Sequence, residues 1–370
     1  MYKVVEQYDG AIWAQAFDDV IDVRSPSEFA IDHVPGAINL PVLDDAQRAE
    51  VGTIYVQQSK FQARRLGAAL IAQNIGAHLH NVLHDRPANY RVLVYCWRGG
   101  QRSAAMATVL SQIGWRTTTL QGGYATYRRQ VVEAMYGAPW PIRAVLLSGH
   151  TGAAKTEILH RLAARGVQTL DLEGLAHHRG SLFGARPGKP QPSQKLFESR
   201  LWAALSLFDP ARPVVIEAES SKIGDLLIPP SLWNVMQDAP RIELEAPDHA
   251  RADYLATAYG DVTANVAALN ALIDRLPVHL GKAQREGWRA LLAQGAWTEF
   301  ALSLIREHYD PAYGRADRDG PAHRRLATIA MAGLDAAQQD DAADRIAEVV
   351  DIYGRGCPAS FETPLRGSSG

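Results

Sequence analysis

The amino-acid sequence predicts an α/β protein of two successive units, each a parallel sheet with helices on its faces. Three observations predict it. Short β-branched runs alternate with helical segments. The alternation breaks at GAPWPI (137–142) and then restarts. Each half also places a glycine-containing loop between a strand and a helix. The chain has 370 residues, 47% of them hydrophobic, which is enough for a separate core in each unit. The expected boundaries are 1–137, 138–330 and a C-terminal helical tail at 331–370.

In the first half, DVIDV (19–23) reads as a strand, and Pro26, Pro35, Gly36 and Pro41 mark turns after it. Residues 50–75 read as helix ending near Gly76. RVLVYC (91–96) is a buried-type strand, followed by WRGGQR and a helix that Gly114 ends. In the second half, strands fall near 144–148, 167–171, 213–218 and 241–246, with a helix to Gly166 after the first. From Asp248 to about Ile305 the apolar spacing is helical, and 335–351 is one acidic amphipathic helix. There is no internal repeat and no low-complexity segment.

Lys plus Arg number 38 and Asp plus Glu 40, a formal net charge of -2. Bulk positive charge therefore does not hold nucleic acid here; any RNA contact needs a local patch. Two cysteines, Cys96 and Cys357, exclude a disulfide framework and a Cys-rich zinc site. Cys357 reads as a bystander. No apolar run approaches ~20 residues, and the N-terminus lacks a signal peptide's apolar stretch. The expectation is a soluble, cytoplasmic protein with no membrane partner.

Cys96 ends a strand and opens the loop Trp97, Arg98, Gly99, Gly100, Gln101 and Arg102, with Ser103 starting a helix. Backbone N–H groups of such a loop converge on one point, and the helix adds its positive end. A thiol titrating near ~8.5 falls to ~3.5–7.5 at a helix N-terminus beside arginines. Between Arg91 and Gln130 there are six arginines (91, 98, 102, 116, 128 and 129) and no acid. The loop thus reads as a reactive thiolate in an anion cradle, the alternative being a buried structural cysteine. Five residues separate Cys96 from Arg102, a spacing shared by cysteine phosphatases and by persulfide-carrying sulfurtransferases; the loop alone does not separate them. The flanks favour the second. IDVRSPSEFAIDHVPGAINLP (21–41) resembles the N-terminal signature of rhodanese domains, and LQGGYATYRR (120–129) resembles their C-terminal end. Asp22 and Arg24 read as a bracing pair.

SGHTGAAKT (148–156), between the strand AVLL and the helix TEILHRLAARG, has the setting of a phosphate-binding P-loop. Gly149 opens the turn, Thr151, Gly152 and Ala153 continue it, Lys155 reaches toward terminal phosphates, and Thr156 stands where a hydroxyl holds magnesium. Ala154 departs from the pattern, which has glycine there. Its methyl group crowds the phosphate or restrains the backbone if the loop needs a glycine-only conformation. Glu217 and Glu219 end a neighbouring strand and face the same crevice. There one orients metal-bound water, or both pair with nearby Arg or Lys. His177 and His178 are adjacent and diverge, so no metal site is expected. Residues 174–200 carry Arg179, Arg186, Lys189, Lys195 and Arg200 against Glu198 alone. That balance suits a polyphosphate or an RNA backbone, with Arg179 supporting the site, or else a solvated charged face.

Taken in order, CWRGGQRS, GHTGAAKT, LEGLAHHRGSLFG and VIEAESSKIG resemble the tRNA 2-selenouridine synthase family, a rhodanese domain fused to a P-loop domain. The likeness runs from Asp22 to the HYDPAYGRA segment at 308–316. It implies a rhodanese-like α/β domain followed by a P-loop NTPase-like α/β domain with a helical C-terminal part. It also implies an enzyme acting on tRNA whose wobble uridine carries sulfur at C2. Selenium from selenophosphate replaces that sulfur through an S-geranyl intermediate made from geranyl diphosphate. By this likeness Cys96 is the catalytic thiol, residues 97–102 cradle selenophosphate, and Gly149–Thr156 hold the diphosphate. Both small molecules are substrates; no tightly bound cofactor is implied, and Mg2+ accompanies the diphosphate. The tRNA footprint is expected on one side, over Arg98, Arg128 and Arg179, away from the acidic 335–351 helix. A plain sulfurtransferase with a regulatory P-loop domain, a P-loop kinase with a rhodanese-like module, and a cysteine phosphatase are the competing readings.

Overall fold

A computed structural model describes residues 5–356 apart from 11, 13, 14, 182, 187, 259, 261–265, 275, 277–280 and 312–323. Cys357 and the segment from residue 312 onward in HYDPAYGRA lie outside the described residues. The chain forms two compact units, one of residues 1–137 with 192–203 and one of 138–191 with 204–370. No helix among the described residues is long and apolar enough to cross a membrane.

The first unit contains β1 (Glu6–Tyr8), β2 (Asp19–Asp22), α1 (Pro26–Ile31), β3 (Ile38–Asn39), α2 (Asp45–Gln57) and α3 (Lys60–Asn81). Then follow β4 (Arg91–Tyr95), α4 (Gln101–Ile113), β5 (Arg116–Leu120) and α5 (Gly123–Tyr136). Its sheet is entirely parallel, in the order β1-β5-β4-β2-β3. The central strand β4 is buried from Val92 to Tyr95. Val92 and Val94 join Ile21, Val23, Met106 and Leu110 in one apolar cluster. The single helix expected over 50–75 is two. Asp44 caps α2 by accepting from the Gln47 N–H at 2.8 Å, and Ser59 starts α3 by accepting from the Gln62 N–H. Helix α3 then runs through Gly76, where exposure limits the cost of glycine to ~1 kcal/mol.

The second unit contains β6 (Arg143–Gly149), α6 (Lys155–Ala164), β7 (Gln168–Leu170) and α7 (Leu172–Ala176). The next helix, α8 (Gln194–Leu205), belongs to the first unit as far as Ala203. The second unit resumes with β8 (Pro213–Glu217), a short hairpin of β9 (Lys222–Ile223) and β10 (Leu226–Leu227), α9 (Pro230–Asp238) and β11 (Arg241–Glu245). A helical run follows: α10 (Asp248–Ala258), α11 (Val266–Asp274), α12 (Lys282–Gln294), α13 (Trp297–Leu304) and a π turn (Ile305–Tyr309). The chain returns through β12 (Arg325–Ala330) and α14 (Ala336–Gly354). The sheet is parallel in the order β12-β11-β6-β8-β7, with β6 at the centre where the winding reverses. Ligands of open α/β sheets bind at the carboxyl ends of strands at such a point.

Helix α14, set apart by the sequence as a tail, is core here. Ala342, Ala343, Ile346 and Val350 are buried with Leu159 and Leu162 of α6 in one cluster. Its acidic face meets α6 as well: Asp340 takes Arg161 at 2.7 Å and Asp344 takes Arg165 at 2.6 Å.

Candidate active sites

The cysteine loop is built from β4 and α4. Cys96 follows the last residue of β4 and is only 3% exposed. Gly100, in an extended conformation that frees its N–H, caps α4 and donates to Cys96 Sγ at 3.3 Å. Ser103 Oγ lies 3.2 Å from the same sulfur. Burial raises the thiol's pKa. Hydrogen bonds from the Ser103 hydroxyl and from the backbone of Ser103, Gly100 and Arg98 outweigh it and hold the thiol below its ordinary value. This corrects the cause expected from the arginines. Arg102 is paired with Glu28 at 2.7 Å, and Arg98 is exposed. Trp97, Gly99, Gly100 and Gln101 are exposed around the buried sulfur.

The segment LQGG closes on this loop from the other side. Gly122 and Gly123 both have left-handed backbones, and a Cβ on Gly123 would stand 2.3 Å from the Cys96 carbonyl oxygen. The close approach lets the Tyr124 N–H donate to Cys96 O at 2.8 Å and the Ala125 N–H to Trp97 O at 3.0 Å. Below it, Arg24 is 1% exposed and Asp22 fully buried. They pair at 2.6 Å, the Arg24 guanidinium donates to Asp32 O, and its centre stacks 4.0 Å from the Tyr124 ring. This is a brace, out of reach of solvent. Arg128 is a second brace: it pairs with buried Glu198 and lies 3.6 Å from Asp32. It is therefore withdrawn from the expected RNA footprint.

The phosphate loop joins β6 to α6. Lys155 begins the helix, and its Nζ donates to Gly149 O at 2.8 Å. Ala154 has φ 56 and ψ 30, the left-handed conformation in which a Cβ is disfavoured by ~1–2 kcal/mol. The glycine-only condition raised by the sequence is thus met by an alanine under strain. The Thr156 hydroxyl lies 2.7 Å from Glu217 and 3.1 Å from Glu173, and the Glu173 N–H donates to Glu217 at 3.2 Å. Glu173, on the first turn of α7, escapes sequence reading; its only signal is an acid beside glycine in LEGLAHHRGSLFG. Burial, and then the charges of its neighbours, pushes Glu217 up to about 8. Burial and the charge of Glu219 push Glu173 up to about 7. Glu219 also rises to about 7, through burial and Glu217, although Lys155 opposes the rise. Among the described residues Glu217 does not make the pairing with Arg or Lys that is one of the two arrangements expected; it accepts from a hydroxyl and an N–H. Among the described residues no three His, Cys, Asp or Glu side chains form a ready metal cage.

Two residues that the sequence reading does not single out, Asp310 and Arg251, hold the loop through its His150 and Thr151. Asp310, just after the π turn, takes Arg251 in a two-pronged pair at 2.9 and 2.7 Å and His150 at 2.8 Å. Burial raises the Asp310 carboxyl, but His150 and Arg251 hold it well below the usual carboxylate range. Arg251 also donates to Thr151 O at 3.3 Å. The loop opens into a cavity of about 750 Å3 that includes Lys155, Thr156, Glu173, Glu219, Arg179 and Arg186. Arg186 Nε and Ser181 Oγ are buried beside this cavity without a hydrogen-bond partner among the described residues. The basic stretch 174–200 is divided between the two units. Arg179 and Arg186 line the second unit's cavity, whereas Lys195 and Arg200 belong to the first unit.

Comparison with known proteins matches residues 4–130 to the rhodanese-like domain and residues 142–331 to the tRNA 2-selenouridine synthase AAA domain. The chain is 34% identical over 327 residues to the tRNA 2-selenouridine synthase of Chromohalobacter salexigens, covering 80% of this chain and 86% of that one. That of Alcanivorax borkumensis is 33% identical over 343 residues, covering 85% and 92%. That of Shewanella denitrificans is 36% identical over 326 residues, covering 80% and 87%.

Proposed function

Since this chain belongs to the tRNA 2-selenouridine synthase family, we propose that it exchanges the C2 sulfur of wobble 2-thiouridine in tRNA for selenium, with selenophosphate as donor and geranyl diphosphate as co-substrate. The observation that carries this reading is the pair of anion cradles, one centred on a thiol and the other on a lysine. A single transferase step needs one; an activation followed by an exchange needs two.

In the activation, the thione sulfur attacks C1 of the geranyl chain. A C–S bond forms, the C1–O bond breaks, diphosphate departs, and the uracil N3 proton passes to solvent. Lys155 and the N–H groups of the loop hold the departing charge. The hydroxyl of Thr156 and the carboxyl of Glu217 offer the oxygen set that suits Mg2+, which binds through one or two carboxylates plus phosphate oxygens. When bound there, the ion would neutralise diphosphate charge. In the exchange, the selenium of selenophosphate attacks C2 and geranylthiolate leaves. Water then takes the phosphoryl group, releasing phosphate and leaving selenouridine. Cys96, its thiol pKa lowered by the loop, is the catalytic thiol of the selenophosphate cradle.

Nucleoside mass spectrometry of 2-thiouridine tRNA tests this, with each small molecule omitted in turn. The expected result is selenouridine that requires Cys96, with S-geranyl-2-thiouridine accumulating when selenophosphate is absent or in Cys96→Ser. Lys155→Ala should abolish geranylation. Unmodified tRNA in every reaction overturns the reading, and thiocyanate production from thiosulfate and cyanide would then favour a plain sulfurtransferase.

A further inference from the structure

A second, smaller cavity of about 60 Å3 adjoins the phosphate-loop cavity within the same unit, walled by Phe183, Leu255, Leu269, Trp297, Phe300 and Leu304. Thr151, Leu255 and Tyr309 line both spaces. Leu255 is the joint. A Cβ on Gly152 would stand 3.0 Å from Leu255 Cγ, so the missing side chain lets the loop rest directly on the wall of the slot. Helix α13 makes a second connection. It carries Phe300 and Leu304, then runs through the π turn to Asp310, which grips Arg251 and His150 beside the loop. π turns inside helices are frequent at functional sites. The loop between α7 and α8 makes a third: its Arg179 lines the polar cavity, and its Phe183 lines the slot.

We propose that the slot receives the end of the aliphatic chain of a diphosphate ester whose phosphates lie in the loop, and that its walls select chain length. The proposal rests on the diphosphate reading of the loop and adds to it the residues that read the tail. A free phosphate or a purely polar ligand has no use for a slot walled by leucine and aromatic side chains. An aromatic base is too bulky, because a cavity that takes benzene measures ~150 Å3, more than twice this one. A slender branched chain end fits. It would restore to the lining the dispersion contacts that an unfilled apolar space forfeits.

Calorimetric titration of the full chain with inorganic pyrophosphate and with dimethylallyl, geranyl and farnesyl diphosphate tests this. Each buried methylene is worth roughly 4-fold in affinity, so geranyl diphosphate should bind at least ~30-fold tighter than pyrophosphate. Ala256, which also lines the slot, is the position to fill. Ala256→Phe should leave pyrophosphate affinity within ~2-fold and cut the geranyl advantage below ~3-fold, as expected when the buried methylenes are displaced. Phe300→Ala should shift the preference toward farnesyl diphosphate. If geranyl diphosphate and pyrophosphate bind equally, or if the tail advantage is unchanged in both variants, the slot assignment falls while the loop reading stands. If pyrophosphate does not bind, or binds regardless of Lys155→Ala, the loop reading itself falls and the slot assignment with it.

Discussion

The thiol loop after β4 and the phosphate loop after β6 share a plan of strand, glycine-containing turn and helix, but they are held differently. The thiol loop is clamped at its own backbone: Gly123 touches it, and the N–H groups of Tyr124 and Ala125 bond its carbonyls. Its buried ion pair, Arg24 with Asp22, reaches the loop through ring contact, with the guanidinium 5.9 Å from the centre of the Trp97 ring. The phosphate loop is held at side chains from distant elements, with Arg251 on a loop carbonyl and Asp310 on a loop histidine. It also contains Ala154 in a left-handed conformation, which the thiol loop assigns to Gly99. The first arrangement fixes a sulfur within a closed ring of donors. The second leaves an open cradle whose shape depends on a helical segment that also lines the apolar slot.

The largest expected effect separates the two braces. Arg24→Ala strands a fully buried carboxylate and should cost ~3–5 kcal/mol in urea unfolding. Arg251→Ala, whose partner Asp310 is 30% exposed, should cost ~1–3 kcal/mol and also weaken pyrophosphate binding. Equal losses from the two would erase the distinction.

A pH series sharpens it further. Unfolded glutamates release their protons near ~4.3, whereas Glu173, Glu217 and Glu219 hold theirs to about 7, 8 and 7 in the fold. Between those values the folded state binds more protons, so this cluster makes the second unit less stable as pH rises from about 4 to 8. Asp310 acts oppositely: its depressed pKa contributes stability that is lost as pH falls below ~4. Glu217→Gln should therefore melt several degrees above wild type at pH 8 and show little gain at pH 4.5, with Tm by circular dichroism as the readout.

For the thiol, the cause of the lowered pKa can be tested directly. Ser103→Ala should raise the midpoint pH of Cys96 alkylation by on the order of one unit, the worth of one good hydrogen bond. Arg98→Ala should move it much less. The reverse result would return the effect to the arginines. The smallest change expected is Ala154→Gly, which relieves left-handed strain and should add ~1 kcal/mol, about 2–4 °C for a unit of this size.

Both loops are legible in the sequence because strand, glycine and helix start follow one another locally. Gly114, left-handed at φ 105, ends α4 where the pattern places it. Two local signals nonetheless escape: the Ser59 cap that divides a helix apolar spacing reads as one, and the β-branched run RTTTL, which pairs as β5. The rest of what escapes is long-range. Glu173 joins Glu217 only because α7 returns to the end of β8. The arginine run near Cys96 suggests an electropositive pocket, but Arg91, Arg102 and Arg128 are paired with Asp18, Glu28 and Glu198. Charge counting along the chain does not see partners up to 74 residues away.

The sheet of the second unit is finished by its latest strand, β12, and covered by α14, while the first unit borrows residues 192–203. On a ribosome adding ~5–20 residues per second, the phosphate loop leaves the tunnel some ~10–40 s before the strand and helix that complete its sheet. The first unit cannot close at residue 137 either, since Arg128 waits for Glu198. A chain interrupted between residue 203 and β12 would hold every residue of the first unit but leave the sheet behind the phosphate loop without its last strand. Premature release therefore yields a second unit exposed to proteolysis rather than one with a finished phosphate loop.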